Sequence, residues 1–268
     1  MTLPPLGPES LTWRRFGDLR LALLIGWAGT LQAMHPVISA ALVQHSDVFA
    51  NPVHRLLRSA GPIIDVVYLG RAAGARVRRY HHGIEGDDAE GRRYHALHPD
   101  PYFWAHATFV AMQYAAAGYF TAPLSDEEKE RLYAESLRWY AQYGLSMRNV
   151  PPDYAAFRAY WEHVVCRVLV RTAAIERSPL HRGERTPAPH PWLPAPVWFV
   201  AGPVFTGVQM WVARGLLPGP ARAALGWRWT AADERALRAF GFAVRTAFRL
   251  LPPRLRLVPR ARRAYREI

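Results

Sequence analysis

Cysteine and lysine are almost missing from this 268-residue sequence. Cys166 is the only cysteine, and Lys129 is the only lysine beside 33 arginines. A single cysteine excludes an internal disulfide, a thiolate metal cluster and covalent haem attachment through a CxxCH motif. The helical pattern around Cys166 predicts a small core residue. With no disulfide and no signal-peptide pattern, we expect a cytoplasmic location.

Acidic residues are also few, so the formal charge is +13. The excess of arginine over lysine is typical of a GC-rich genome, and the arginines are scattered along the chain. No zinc-finger or RNP-type segment accompanies them, and we therefore expect no nucleic-acid partner. The arginine-rich end at 254–266 instead predicts a weak peripheral contact with anionic membranes.

Several catalytic motifs are absent. The sequence contains no HExxH, no GxSxG and no glycine-rich phosphate loop, which argues against zinc peptidases, serine hydrolases and nucleotide-binding enzymes of those types. Asp87 and Asp88 are adjacent acids, for which a solvated turn is a better interpretation than a cation site. Glu162 and His163 point to different faces of a helix and form no site by spacing.

Long hydrophobic runs are scarce as well. Residues 21–34 are apolar but shorter than the roughly 20 residues that a membrane span requires. Residues 197–213 are interrupted by Gly202-Pro203 and contain Gln209. The first segment is predicted to be a buried helix. For the second no membrane span is expected, and a monotopic membrane contact remains open.

The remaining pattern predicts an all-α protein with a single domain over 1–268 and no repeats. Ser125 with Glu128 and Thr230 with Asp233 are helix-start signals. A proline-rich stretch at 178–196 predicts an extended internal crossing, and residues 252–268 form a basic tail. Predicted helices cover approximately 16–34, 36–46, 51–60, 61–82, 101–120, 125–143, 151–171, 197–214, 230–251 and 259–267.

Histidines carry the most chemical information. Eight of the eleven lie between 35 and 106, and we expect His54, His95 and His98 to be surface or capping residues. His106 differs, because at helical spacing it shares its face with Tyr102, Phe109 and other large side chains. Burial there favours the neutral imidazole, which is the form that ligates metals. A core histidine with one hydrogen bond to a carbonyl explains the same pattern.

Several spaced motifs resemble the oxygenase family that includes the bacterial latex-clearing rubber oxygenases and the MpaB-type fungal oxygenase. The matching stretches are LQAMHPVISAALVQHS (31–46), NPVHRLLRSA (51–60), VRRYHHGIEGDDAEGRRYHALHPDPYFWAHAT (77–108), GLLPGPARAALGWRWTAADERA (215–236) and LLPPRLRLVPRARRAY (250–265). The third is the most specific, and the resemblance is closer to small bacterial members than to the rubber oxygenases. It covers most of the chain.

This resemblance implies a globin-like helical core, with additional helices, that holds haem b. His106 takes the place of the proximal iron ligand, although Val110 stands where the family's HAxxR setting has arginine. Arg55-Leu-Leu-Arg58-Ser59 takes the place of an Arg-x-x-Lys-Thr motif. Since arginine does not ligate iron, Arg55 and Arg58 would instead pair with haem propionates.

The resemblance also suggests roles around the haem. His81 is a candidate second iron ligand or distal acid/base, and His81 or Arg55 would stabilise bound dioxygen by hydrogen bonding. His35 is a further candidate ligand. Trp104 and Thr108, in the same motif as His106, are candidates for cofactor contacts.

The sequence therefore predicts a haem b-dependent oxygenase or dioxygenase-like enzyme for an apolar, isoprenoid-type substrate and dioxygen. Two alternatives from other classes stay open. One is a haem sensor or electron-transfer protein with His81 and His106 both on iron. The other is a cofactor-free helical protein that binds lipids, an alternative motivated by Val110 and Arg58.

Overall fold

A computed structural model describes residues 3–267, and their regular secondary structure is almost entirely helical. The α-helices are α1 Leu11–Phe16, α2 Ile25–Ala33, α3 Pro36–His45, α4 Pro52–Leu69, α5 Arg71–Arg79, α6 Pro99–Tyr119, α7 Asp126–Ala141, α8 Tyr154–Arg167, α9 Ala173–Arg177, α10 Ala195–Leu216, α11 Gly219–Ala224, α12 Ala231–Leu250 and α13 Pro259–Ala264. Two 3-10 helices span Leu19–Leu24 and Pro253–Arg256. The all-α prediction is confirmed, whereas the globin-like arrangement and the single domain stay predictions.

The predicted helix over 16–34 is divided into three shorter elements. Asp18 causes the division, because its carboxylate accepts from the Arg20 backbone N–H and binds the Arg20 guanidinium. This cap starts a new 3-10 helix after α1 has ended at Phe16. Side chains of aspartate compete in this way with the backbone ladder of a continuous helix.

The sequence analysis predicted two helices, 51–60 and 61–82. The structure also has two helices in this region, but the break between them lies at a later residue. One helix, α4, continues through Pro62 to Leu69. The break comes at Gly70, which has φ of 62°, and α5 follows directly. Glycine adopts this left-handed conformation without the steric cost that a Cβ imposes.

The loop over 83–101 contains two short strands that the sequence did not predict. Strands β1 (Glu85–Asp87) and β2 (Arg93–His95) pair antiparallel, with Gly86 opposite Tyr94. Asp88 accepts hydrogen bonds from the backbone of Glu90 and Arg92 and from the Arg92 side chain. These bonds close the hairpin, so Asp88 forms the turn rather than merely being solvated.

Helix α6 lies at the centre of the core and has no polar face. Phe103 and Val110 on one side of the helix and Thr108 and Met112 on the opposite side are each at most 4% exposed. The surrounding helices include α2, α7 and α12. Cys166 lies outside this core: the prediction that it is a core residue was wrong, since its side chain is exposed on α8.

Glycine at position 74 lets α5 approach the end of α7. A Cβ placed on Gly74 would lie 2.1 Å from the Gln142 carbonyl oxygen, which belongs to rigid backbone. We therefore expect Gly74→Ala to lower the free energy of unfolding by about 2–3 kcal/mol, since overpacking outweighs the gain in helix propensity. Urea denaturation measures this change.

The matched control is Gly207→Ala, which lies inside α10. A Cβ at Gly207 meets nothing within 4 Å, so this change should stabilise the protein by up to about 1 kcal/mol. Equal effects of the two substitutions would contradict the close approach of α5 to Gln142.

Candidate functional site

His81 follows the last turn of α5 and is held there by a backbone hydrogen bond. Its Nδ1 lies 2.9 Å from the carbonyl oxygen of Val77, four residues earlier. A carbonyl oxygen only accepts, so Nδ1 carries the proton and Nε2 keeps its lone pair. Histidines that ligate metals commonly donate from the other ring nitrogen to a backbone carbonyl in this manner. His81 thus has the hydrogen bonding expected of an axial ligand.

The surroundings of His81 keep its ring neutral. Burial lowers the pKa of His81, and the positive charge of Arg55 lowers it further, although the Val77 carbonyl acts in the opposite direction. The ring packs edge-to-face on Tyr102, at 5.3 Å between centroids. Tyr102 comes from α6, so this contact fixes the orientation of the His81 ring relative to the central helix.

Arg55 and Arg58 on α4 are brought together by Asp47. The Arg55 Nε lies 3.6 Å from Asp47 Oδ1, and an Arg58 Nη lies 3.2 Å from the same oxygen. Arg55 also donates to Ser59 on the next turn. Arg55 is half-buried, and burial lowers its pKa, whereas the Arg58 side chain is 56% exposed. Arg55 is therefore the arginine of this pair that stands closer to His81.

His106 lies one turn after Tyr102 on the same face of α6 and is enclosed by aromatic side chains. Its Nε2 lies 3.2 Å from the Ser136 carbonyl of α7. The ring centroids of Trp139 and Tyr140 are 4.6 and 5.1 Å away. The side chain is 2% exposed, and burial lowers the pKa of His106 to about 3. Its Nδ1 has no partner within residues 3–267, and the aromatic rings pack directly around the imidazole.

The aromatic residues around His106 were mostly missed by the sequence analysis. Tyr140 and Tyr143 of the α7 end contact both His106 and Tyr102. The sequence predicted α7 through its capping box but gave no indication of which helix its aromatic face would contact. By contrast, the spacing of four residues between Val77 and His81 could have suggested the hydrogen bond that prepares His81.

The other candidate residues occupy separate positions. His35 precedes α3, is 9% exposed, and has a pKa that burial lowers to about 4. Trp104 donates from Nε1 to the Leu31 carbonyl. Thr108 donates to the Ala105 carbonyl and accepts from Gln32. The polar atoms of Trp104 and Thr108 are thus used within the α2–α6 contact.

The expected surface histidines behave as capping and loop residues. His98 precedes α6 and accepts from the Asp100 backbone N–H, and His95 accepts from that of Leu97. His54 lines a cavity of about 460 Å³ between the start of α4 and residues 188–195. His190 lies across it, with its ring centroid 5.8 Å from that of His54.

Protein side chains alone do not assemble a metal site in the described part of the chain. No three His, Cys, Asp or Glu side chains converge within residues 3–267. Iron held by a single histidine here would need a porphyrin to supply its remaining ligands.

Comparison with known proteins agrees with the motif resemblance. Two curated relatives match, an uncharacterised protein of Mycobacterium bovis and one of Mycobacterium tuberculosis. Each is 23% identical over 217 residues, covering 79% of this chain and 81% of the relative. No solved structure matches significantly. The sequence model for "ER-bound oxygenase mpaB/B'/Rubber oxygenase, catalytic domain" matches residues 13–246, and the chain therefore belongs to this oxygenase family.

Proposed function

We propose that this protein is a haem b-dependent oxygenase for an apolar, isoprenoid-type substrate, with His81 as the axial iron ligand. The observation that carries the proposal is the hydrogen bond from His81 Nδ1 to the Val77 carbonyl. It fixes the tautomer in which Nε2 is free to bind iron, and it makes the imidazole a better electron donor. Membership of an oxygenase family supports the reaction class.

This assignment moves the ligand role from His106 to His81. His106 directs Nε2 at the Ser136 carbonyl and is surrounded by Trp139, Tyr140 and Phe103. Binding haem there would require those rings to separate, with the loss of a well-filled aromatic core. Binding of iron to His81 Nε2 would leave the hydrogen bond between His81 Nδ1 and the Val77 carbonyl in place. His106 instead fits a structural role between α6 and α7.

Arg55 is the proposed positioning group of the site. Haem, when bound, supplies the activation of dioxygen. Arg55 adds a permanent positive charge near His81, which helps to keep the imidazole neutral and would attract a propionate or an oxygen atom that carries partial negative charge. Asp47 and Ser59 hold this guanidinium in place.

An apolar substrate is supported by the cavity at the start of α4. His54, which lines the cavity, directly precedes Arg55 in the chain. Most of the other lining residues are proline, alanine and leucine. The volume, about 460 Å³, is within the range for small-molecule sites. These features favour an apolar ligand with few polar contacts.

The first experiment is titration of the purified protein with hemin, followed by absorption spectroscopy. We expect a Soret band that saturates at one haem per chain. The reduced, loaded protein should then consume oxygen when an isoprenoid alkene is added and should release carbonyl products. Absence of any specific Soret band would overturn the haem proposal and favour the cofactor-free lipid-binding alternative.

A bis-histidine site has less support from the geometry. His81 contacts Tyr102, while His106 contacts Tyr140 and Tyr143, which in turn contact Tyr102. Tyrosine rings thus connect the two imidazoles, whereas a bis-histidine haem requires both rings to face a single porphyrin. No observation on the described residues favours the sensor or electron-transfer alternative.

A further inference from the structure

The first half of α10 is an apolar helix that the rest of the protein hardly covers. Within residues 195–207 only Trp198 and Gly202 are buried. Phe199, Val200 and Val204 are 62%, 72% and 67% exposed. The second half of α10 is covered, and Val212 and Ala213 there are fully buried.

Charge is absent from this helix and from the segment before it. No Asp, Glu, Lys or Arg occurs from 186 to 213. Trp192, just before α10, is 76% exposed. Exposed apolar patches of this kind mark interaction sites for proteins or membranes, and tryptophan is enriched where such a surface meets a membrane interface.

The part of the chain that contains α10 carries most of the positive charge. Residues 185–266 contain fourteen arginines and two acidic residues, so this segment carries +12 of the total formal charge of +13. Arg185 lies directly on the exposed half, because its guanidinium stacks 3.9 Å above the Phe199 ring and donates to the Phe199 carbonyl.

Further exposed residues extend the surface from α12. This helix is antiparallel to α10, since Leu237 lies beside Gly215 while Phe240 contacts Trp211. The end of α12 therefore points toward the exposed half of α10. Leu250 there is 83% exposed. The neighbouring Arg249 and Arg254 are exposed and pair with no carboxylate in residues 3–267.

We propose that the first half of α10 inserts into one leaflet of an anionic lipid bilayer, with Arg185 and the arginines at the end of α12 contacting lipid headgroups. The combination of exposed apolar side chains and unpaired arginines fits this partner. Apolar burial supplies membrane affinity, and arginines add electrostatic attraction to anionic lipids. A second copy of the chain would place these arginines against arginines.

Insertion from one side fits the dimensions better than a membrane span. Helix α10 is apolar and long enough to cross a bilayer by composition. Its second half, however, is packed in the core, and Gln209 bonds the Ala22 carbonyl and the Gly26 backbone N–H. The thirteen residues 195–207 extend about 20 Å, which is less than the roughly 30 Å of a hydrocarbon core.

Vesicle co-sedimentation of the full chain tests this surface. We expect strong binding to vesicles made of equal parts phosphatidylglycerol and phosphatidylcholine, and weaker binding to pure phosphatidylcholine. The double variant Val200→Glu/Val204→Glu should lower the partition coefficient by at least about tenfold. Arg249→Gln/Arg254→Gln should reduce only the preference for anionic lipid. Circular dichroism should show that both variants remain folded, since the changed side chains are exposed.

The matched control is Leu69→Glu. It introduces one glutamate at an apolar side chain that is 51% exposed, at the C-terminal end of α4. This variant should bind vesicles like the unaltered protein. Equal binding by Val200→Glu/Val204→Glu and the unaltered protein would overturn the proposal. The proposal would also be overturned if the unaltered protein did not bind vesicles and formed a dimer that the same double variant converts to monomer.

Discussion

Replacement of His81 by glycine is expected to weaken haem binding by on the order of a hundredfold, a loss of about 3 kcal/mol. The change removes the proposed axial ligand and leaves a space that a free imidazole can occupy. Addition of imidazole should therefore restore the Soret band. Hemin titration monitored by absorption measures both effects, and a purely structural role for His81 would not give rescue by imidazole.

Two control variants locate the ligand. His82→Gly changes the next residue, whose side chain is exposed, and should leave haem affinity unchanged. His106→Gln should also retain the Soret band, because His106 is enclosed by α7 and bonded to Ser136. Retention of the band in His81→Gly, with its loss in His106→Gln, would instead place the iron at His106.

Acid is expected to destabilise the protein steeply between pH 6.5 and pH 4. Burial lowers the pKa of His106 to about 3 and the pKa values of His35 and His181 to about 4. All three rings are neutral in the folded chain, while the unfolded chain takes up protons near the ordinary pKa of about 6.5. The contribution of these neutral rings to the free energy of unfolding is therefore fully present above pH 6.5 and decreases as the pH falls from 6.5 to 4.

The expected size follows from proton linkage. Each of these three histidines should remove about 2 kcal/mol between pH 8 and pH 5, or about 6 kcal/mol together. Urea unfolding followed by tryptophan fluorescence at both pH values measures the difference. For many domains this is a large part of a total stability of about 5–15 kcal/mol.

A pair of variants separates buried from exposed histidines. His106→Gln should lower stability at pH 8 but reduce the loss between pH 8 and pH 5 by about a third, because one of the three titrating groups is removed. His98→Gln changes an exposed capping residue and should leave the pH dependence intact. An unfolding free energy that is equal at pH 8 and pH 5 would contradict neutral burial of the three histidines.

Helix starts were the features that the sequence predicted most accurately. The capping boxes at Ser125 and Thr230 are present in the structure. Pro36 and Asn51-Pro52 also begin helices as predicted. Caps and prolines act within one turn of chain, so their effects can be recognised without knowing the fold.

Helix ends and side-chain environments were predicted less well. The division at Asp18, the break at Gly70 and the hairpin of β1 and β2 all depend on turns that compete with continuous helix. Cys166 lies in a helical pattern like that of buried residues and yet is exposed. The side of a helix that faces the core is decided by distant parts of the chain.

For the candidate site, too, some features could be predicted from the sequence and others depend on the tertiary structure. The sequence by itself determined the all-α class, the family and the set of histidines that are candidates for an iron ligand, because periodicity, caps and spaced motifs are properties of the chain. The preference for His81 over His106 is a proposal that rests on the tertiary structure. That structure enclosed His106 with Trp139 and Tyr140 of α7, left His81 with a free Nε2 beside Arg55, and left half of α10 uncovered. These outcomes depend on contacts between residues far apart in sequence, which no local pattern specifies.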